Sequence, residues 1–135
     1  MIRLDGLAIH PVKSTAVRHV KHADVEPWGL RDDRRWMVVD ASGECLTARE
    51  HAPLRTVRAE TPATDPDLPV PLRLSAPGSP VLDLDEPQGE VLPVTVHGRP
   101  LDAVLAPPEA TAWLAAALGR DDVRQRGLAP PVRHG

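Results

Sequence analysis

A chain of 135 residues, 41% of them apolar, has room for one domain with a modest core. Its net charge of -3 is spread along the chain, with none of the basic stripe that a general nucleic-acid binder needs. There is no Phe and no Tyr, and the 16 Pro and 9 Gly argue against long helices.

Val, Leu, Ala and three Trp must therefore fill the core, and branched aliphatics favour strands. Cys45 is the only cysteine, so no internal disulfide and no cysteine-built zinc site is expected. That usage suits a reducing compartment. The opening MIRLDGLAIHPVKS lacks the apolar core of a signal peptide. No apolar run approaches the roughly 20 residues that cross a bilayer. The expectation is a cytoplasmic protein, with neither a membrane nor a nucleic acid as partner.

In chain order, Ile2, Leu4, Leu7 and Ile9 form a first apolar segment, with Gly6 as a bulge and Pro11 as its end. TAVRHVKHADVEPW reads as a second strand, although Val20 falls out of phase. RDDR at 31–34 turns into a third strand, RRWMVVD, whose apolar run Trp36–Val39 predicts burial on both faces. Ala41, Ser42 and Gly43 make a hairpin loop, GECLTARE returns as a fourth strand, and LRTVRAE at 54–60 reads as a fifth. Residues 61–71, with four Pro, form a loop. PLRLSA and PVLDLD are short strands, and VLPVTV and LDAVL flank a hairpin turn at His97, Gly98, Arg99 and Pro100.

One helix is predicted, over about 107–118. Pro107 and Pro108 sit at its start, Ala110, Trp113, Leu114, Ala117 and Leu118 recur at helical spacing, and Gly119 stops it. The fold class is mainly β: a small β-barrel-like domain over 1–119 with one C-terminal helix. Residues 120–135 are expected to be a disordered tail.

Three pieces bear on chemistry. In HPVKST, Lys13 and Ser14 set a charge beside a short hydrogen-bond donor, a pair able to hold a phosphate. In RDDRRW, Arg34 and Arg35 point to opposite faces if the segment is a strand, so one would face a site. In LTARE, Thr47 and Arg49 share a strand face. Each alone reads more simply as solvated surface. His19 and His22 do not share a strand face, and Asp83, Asp85 and Glu86 read as a solvated strand rather than a cation site. No P-loop and no G-x-G-x-x-G is present. No catalytic residue and no metal ligand is assigned.

Taken together, HPVKST, Gly29-Leu30, DRRWMVVD at 33–40, Gly43 and LTAR at 46–49 occur in an order and spacing that resembles one family. It is the N-terminal β-barrel domain that precedes the MOSC (molybdenum cofactor sulfurase C-terminal) domain, as in the mitochondrial amidoxime-reducing component. Trp113-Leu114 and Leu118-Gly119 extend the likeness, which spans about residues 2–124. The resemblance implies a module that binds the molybdenum cofactor (molybdopterin). Lys13, Ser14 and Arg34 would contact its pterin-phosphate end, with Thr47 and Arg49 as weaker candidates. Thr15 stands where the family has Cys. The MOSC half, with the cysteine that binds molybdenum, is expected to be absent from the chain, and Cys45 does not replace it. The family implies a molybdenum oxidoreductase or a sulfur-carrier site. For this chain the expectation is therefore a binding half-site, completed by a separate MOSC-domain chain or a second copy. The alternative is a non-catalytic interaction domain, or truncated remnant, that binds no cofactor.

Overall fold

The computed structural model describes residues 6–27, 29–40, 42–86, 88, 90–119 and 128–129. The first strands are β1 (Leu7–Ile9), β2 (Arg18–Val20), β3 (Val25–Glu26), β4 (Gly29–Leu30) and β5 (Met37–Val38). A 3-10 helix at Ala52–Thr56 leads to β6 (Arg58–Glu60), β7 (Leu72–Ser75) and β8 (Leu82–Leu84). Then come β9 (Val91–Val96), β10 (Arg99–Val104), the helix α1 (Pro108–Leu118) and β11 (Leu128–Ala129). Among the described residues this is the mainly β domain with one α-helix that the sequence predicts.

The ladders are antiparallel: β1 with β2, β3 with β4, β5 with β11, β9 with β10, and β6–β7–β8 as a three-stranded sheet. Single bridges weld them into a wall. Val12 runs parallel to Trp36, Val39 pairs with Cys45, and Glu44 pairs with Thr95. Ala16 donates its N–H to the Val57 carbonyl at 2.9 Å, tying the chain after residue 15 to the entrance of β6.

β5 is where the wall is thickest. Trp36 and Val38 face the main core, which includes Leu54, Val57, Leu72, Leu74, Leu84 and Leu114. Met37 and Val39 face a second, smaller cluster with Cys45, Val94 and Ala103. The two-sided burial expected of the run 36–39 is what strict alternation inside two cores produces.

α1 closes the main core with Ala110, Trp113, Leu114 and Leu118. Trp113 also donates its indole N–H to the Pro80 carbonyl at 2.6 Å. Gly119 has φ 66° and ψ 32°, and its N–H donates to the Ala115 carbonyl, so the helix ends in the left-handed cap that glycine accepts most readily. In the β9–β10 turn His97 (φ 50°) and Gly98 (φ 77°) are both left-handed, as a two-residue type I′ turn requires. Arg99 and Pro100 consequently belong to β10 rather than to the loop.

Several expected strands break up, each for a readable reason. The stretch 15–28 yields β2 and β3 as separate pieces, because Val17, Val20 and Val25 keep no common face and Val25 is 83% exposed. LTARE is a turn and not a strand: the Thr47 carbonyl accepts the N–H groups of both Glu50 and His51, at 3.2 and 2.8 Å. Thr47 and Arg49 therefore do not share a strand face. At 54–60 the buried residues Leu54 and Val57 are three apart, the spacing of a 3-10 helix, and only Arg58–Glu60 is extended. Within 120–135, expected to be a tail, Leu128–Ala129 pairs with β5, and the other residues lie outside the described ones, as do Ile2 and Leu4.

Candidate anion-binding site

Pro11 has a fixed φ and ends β1 inside the wall, so the next residues must turn. The Thr15 N–H and hydroxyl both donate to the Val12 carbonyl, at 3.2 and 2.6 Å. This closes a tight turn that places Ser14 at φ 68°. Thr15 is 2% exposed, and that bond leaves its buried hydroxyl paired.

The turn at 31–34 is stitched against this loop. Arg34 donates its N–H to the His10 carbonyl (2.6 Å), Trp36 to the Pro11 carbonyl (3.0 Å), and Lys13 to the Trp36 carbonyl (2.9 Å). The Asp33 carboxylate adds a clip: one oxygen accepts the His10 N–H at 2.8 Å, the other accepts from Arg34 Nη1 at 2.5 Å. Lys13, Ser14 and Arg34 thus sit on two turns locked to each other.

Arg34 and Arg35 do diverge, yet not through strand alternation. Arg34 is in a turn at φ 47°, with 56% of its side chain exposed. Arg35 reaches Glu86 at 3.4 Å. Three non-glycine residues of these turns, Ser14, Asp32 and Arg34, are left-handed, which is uncommon and costs roughly 1–2 kcal/mol each. Strain of this kind persists where surrounding bonds over-determine the backbone. One oxygen of Asp32 is also buried with no hydrogen-bond partner among the described residues.

Beside the loop lies an open groove of about 470 Å³, lined by His10, Ser14, Thr15, Ala16, Val17, Ala48 and Arg55. Ser14 is the one residue of the expected set that lines it. The LTARE turn contributes Ala48, while Thr47 and Arg49 are not lining residues. Arg55 is the addition the sequence did not suggest. It lies forty-one positions beyond Ser14 in a stretch that reads as a strand, and only the Ala16–Val57 hydrogen bond reveals the proximity. His10 donates its Nδ1–H to the Thr15 carbonyl (2.9 Å), and its ring forms part of the groove wall.

Cys45 is buried, and burial pushes its thiol up from its ordinary value, with Lys13 the main opposing charge. It is a packed core residue of the smaller cluster. Asp83 is held by Arg73 through two bonds of 2.6 and 3.0 Å. Among the described residues no group of three His, Cys, Asp or Glu could hold a metal ion. No described helix is long and apolar enough to cross a membrane.

The fold and these paired turns define a class. The family model of the MOSC N-terminal beta barrel domain matches residues 1–121, and the chain belongs to that family. Among curated relatives, a molybdenum cofactor sulfurase of Danio rerio is 32% identical over 136 residues, 91% of this chain and 15% of that protein. A molybdenum cofactor sulfurase of Drosophila willistoni is 40% identical over 65 residues, 48% of this chain and 8% of that protein. The chain thus spans a small part of the length of these relatives. A solution structure of a protein from Bordetella bronchiseptica matches with TM-score 0.55 and 21% identity, covering 82% of this chain and 88% of that one. That likeness shows the fold, and shows it in a chain little larger than the matched region.

Proposed function

We propose that this domain is a binding module for the molybdenum cofactor, holding the pterin-phosphate end with Lys13, Ser14 and Arg34. The observation that supports the reading is the mutual locking of the two turns, which holds the backbones of Lys13, Ser14 and Arg34 side by side. A phosphate needs fixed charged donors, not a titrating base, and a Lys, an Arg and a hydroxyl supply them. Family membership and relatives named molybdenum cofactor sulfurase point to the same cofactor.

The residues fit the phosphate end of that group and not its metal. Molybdenum calls for a thiolate, whereas Cys45 is buried with its thiol pushed up. When bound, the cofactor would supply redox or sulfur-transfer chemistry. This chain's residues bind and orient it: Lys13 and Arg34 supply charge, Ser14 supplies a directed hydrogen bond, and Asp33 holds Arg34 in place. The thiolate would come from a MOSC domain set beside the barrel. The lone buried cysteine fits a cytoplasmic location.

A second reading, an interaction domain that binds no cofactor, draws on Asp33, which already engages Arg34. Arg34→Ala separates the two. Arg34 is largely exposed, so the variant is expected to keep the wild-type Tm. Pterin recovered with the purified protein, read by fluorescence after oxidation, is expected to fall roughly tenfold or more. Equal pterin in both proteins would remove Arg34 from the site, and no pterin in either would favour the interaction domain.

A further inference from the structure

We infer that the groove beside Ser14 is a binding site for an organic phosphate, and that Arg55 is an anion-contacting residue in it. The inference rests on the reading above insofar as Ser14 serves both. It adds a residue and a ligand shape that neither the family motif nor the resemblance assigns.

The 3-10 helix fixes where Arg55 stands. Leu54 is fully buried in the main core, and the Val57 carbonyl is bonded to the Ala16 N–H at 2.9 Å. These anchors on either side leave Arg55 facing out over Ala16 and Val17. The groove then has three kinds of wall. Arg55 brings a guanidinium, Ser14 a hydroxyl, and Ala16, Val17 and Ala48 a small-residue apolar surface. Among the described residues no carboxylate lines it, and none forms an ion pair with Arg55.

Each wall selects something. A guanidinium with a neighbouring hydroxyl takes a phosphate or carboxylate, and the forked donors of Arg favour two oxygens at once. The apolar walls reward a ligand that carries a body to cover them. Val17 is 45% exposed here, so such a body would bury apolar surface now facing water. A volume of about 470 Å³ lies within the ordinary range for small-molecule sites. Inorganic phosphate would use the guanidinium and the hydroxyl and leave the apolar wall bare. A phosphate monoester on a flat apolar body would use all three.

The test is a titration of the isotope-labelled full chain, followed by amide NMR, with 1-naphthyl phosphate and with inorganic phosphate. The naphthyl ester is expected to bind about tenfold tighter or better, with shifts at Ala16, Val17, Ala48 and Arg55. Arg55→Ala should weaken it roughly tenfold, with Arg55→Lys between the two, because a point charge keeps attraction and loses the fork. Arg55 is exposed, so unchanged amide dispersion verifies folding. Equal affinity of Arg55→Ala and wild type, or shifts confined to residues around Lys13 and Arg34, would overturn the inference. Arg34→Ala separates this outcome from the earlier reading. If it abolishes binding while Arg55→Ala does not, the groove falls and the phosphate site on the two turns stands. If Arg55→Ala abolishes binding while Arg34→Ala does not, the groove stands and the role given to Arg34 falls.

Discussion

Ser14 and Arg34 are unusual for the same reason: each is a side-chain-bearing residue in a conformation that glycine takes more readily. Glycine there would relax the backbone and delete the group the site needs. A β-branched residue would make the strain worse. Ser14→Val is therefore expected to lose about 1–2 kcal/mol of stability in denaturant titration, whereas Ser14→Gly is expected to keep stability and lose anion binding. An unchanged midpoint for Ser14→Val would mean that the turn is not held as described. Cys45 is the opposite case, a reactive atom made inert by burial. Its thiol is pushed up, so the thiolate that reacts is scarce. In native protein it should react with a thiol reagent far more slowly than in unfolded protein; equal rates would contradict its place in the smaller core.

At the scale of elements, the fold was legible where a signal is local. The helix over 108–118 announced itself through Pro at its start, apolar residues at 110, 113, 114 and 118, and Gly119 at its end. The Trp36–Val39 run likewise declared a two-sided strand. What stayed hidden depends on partners distant in sequence. LTARE alternates well enough for a strand, but Leu46 is its last buried residue, and the Thr47 carbonyl turns the chain. Leu54 and Val57 fit either a strand or a 3-10 helix until the core claims both. Lys13, Ser14 and Arg34 are singled out by a family resemblance, whereas Arg55 could not be, because the bond that brings it near joins residues 16 and 57. Between elements, Glu60 of β6 takes Arg18 of β2 at 2.7 Å, and also Arg58 and Thr64. Burial raises its pKa, but the hydrogen bonds from Thr64 and Arg58 and the charges of Arg18 and Arg58 outweigh this, and the net shift is downward from 4.5. A carboxylate lowered on folding stabilises above its unfolded value and stops doing so as pH falls through its folded one. Glu60→Gln should thus be less stable than wild type at neutral pH, and the gap should close below pH 4.5. A gap that persists in acid would assign the loss to packing.

Across the whole molecule, the wall of short strands carries two cores, and the candidate site sits on one edge where β1 ends and β5 begins. That edge combines strained turns, exposed cations and an open groove, the features of a surface shaped to receive something rather than to complete the fold. The family is described as an N-terminal domain, and the reading proposed above gives this chain's groups the phosphate end of the cofactor. The most direct measurement is made on protein purified anaerobically from its native host, oxidised, and read for pterin fluorescence and for molybdenum in the same sample. The account predicts pterin, with molybdenum present only when a MOSC domain accompanies the barrel. Purified protein with neither pterin nor a copurifying partner would contradict it.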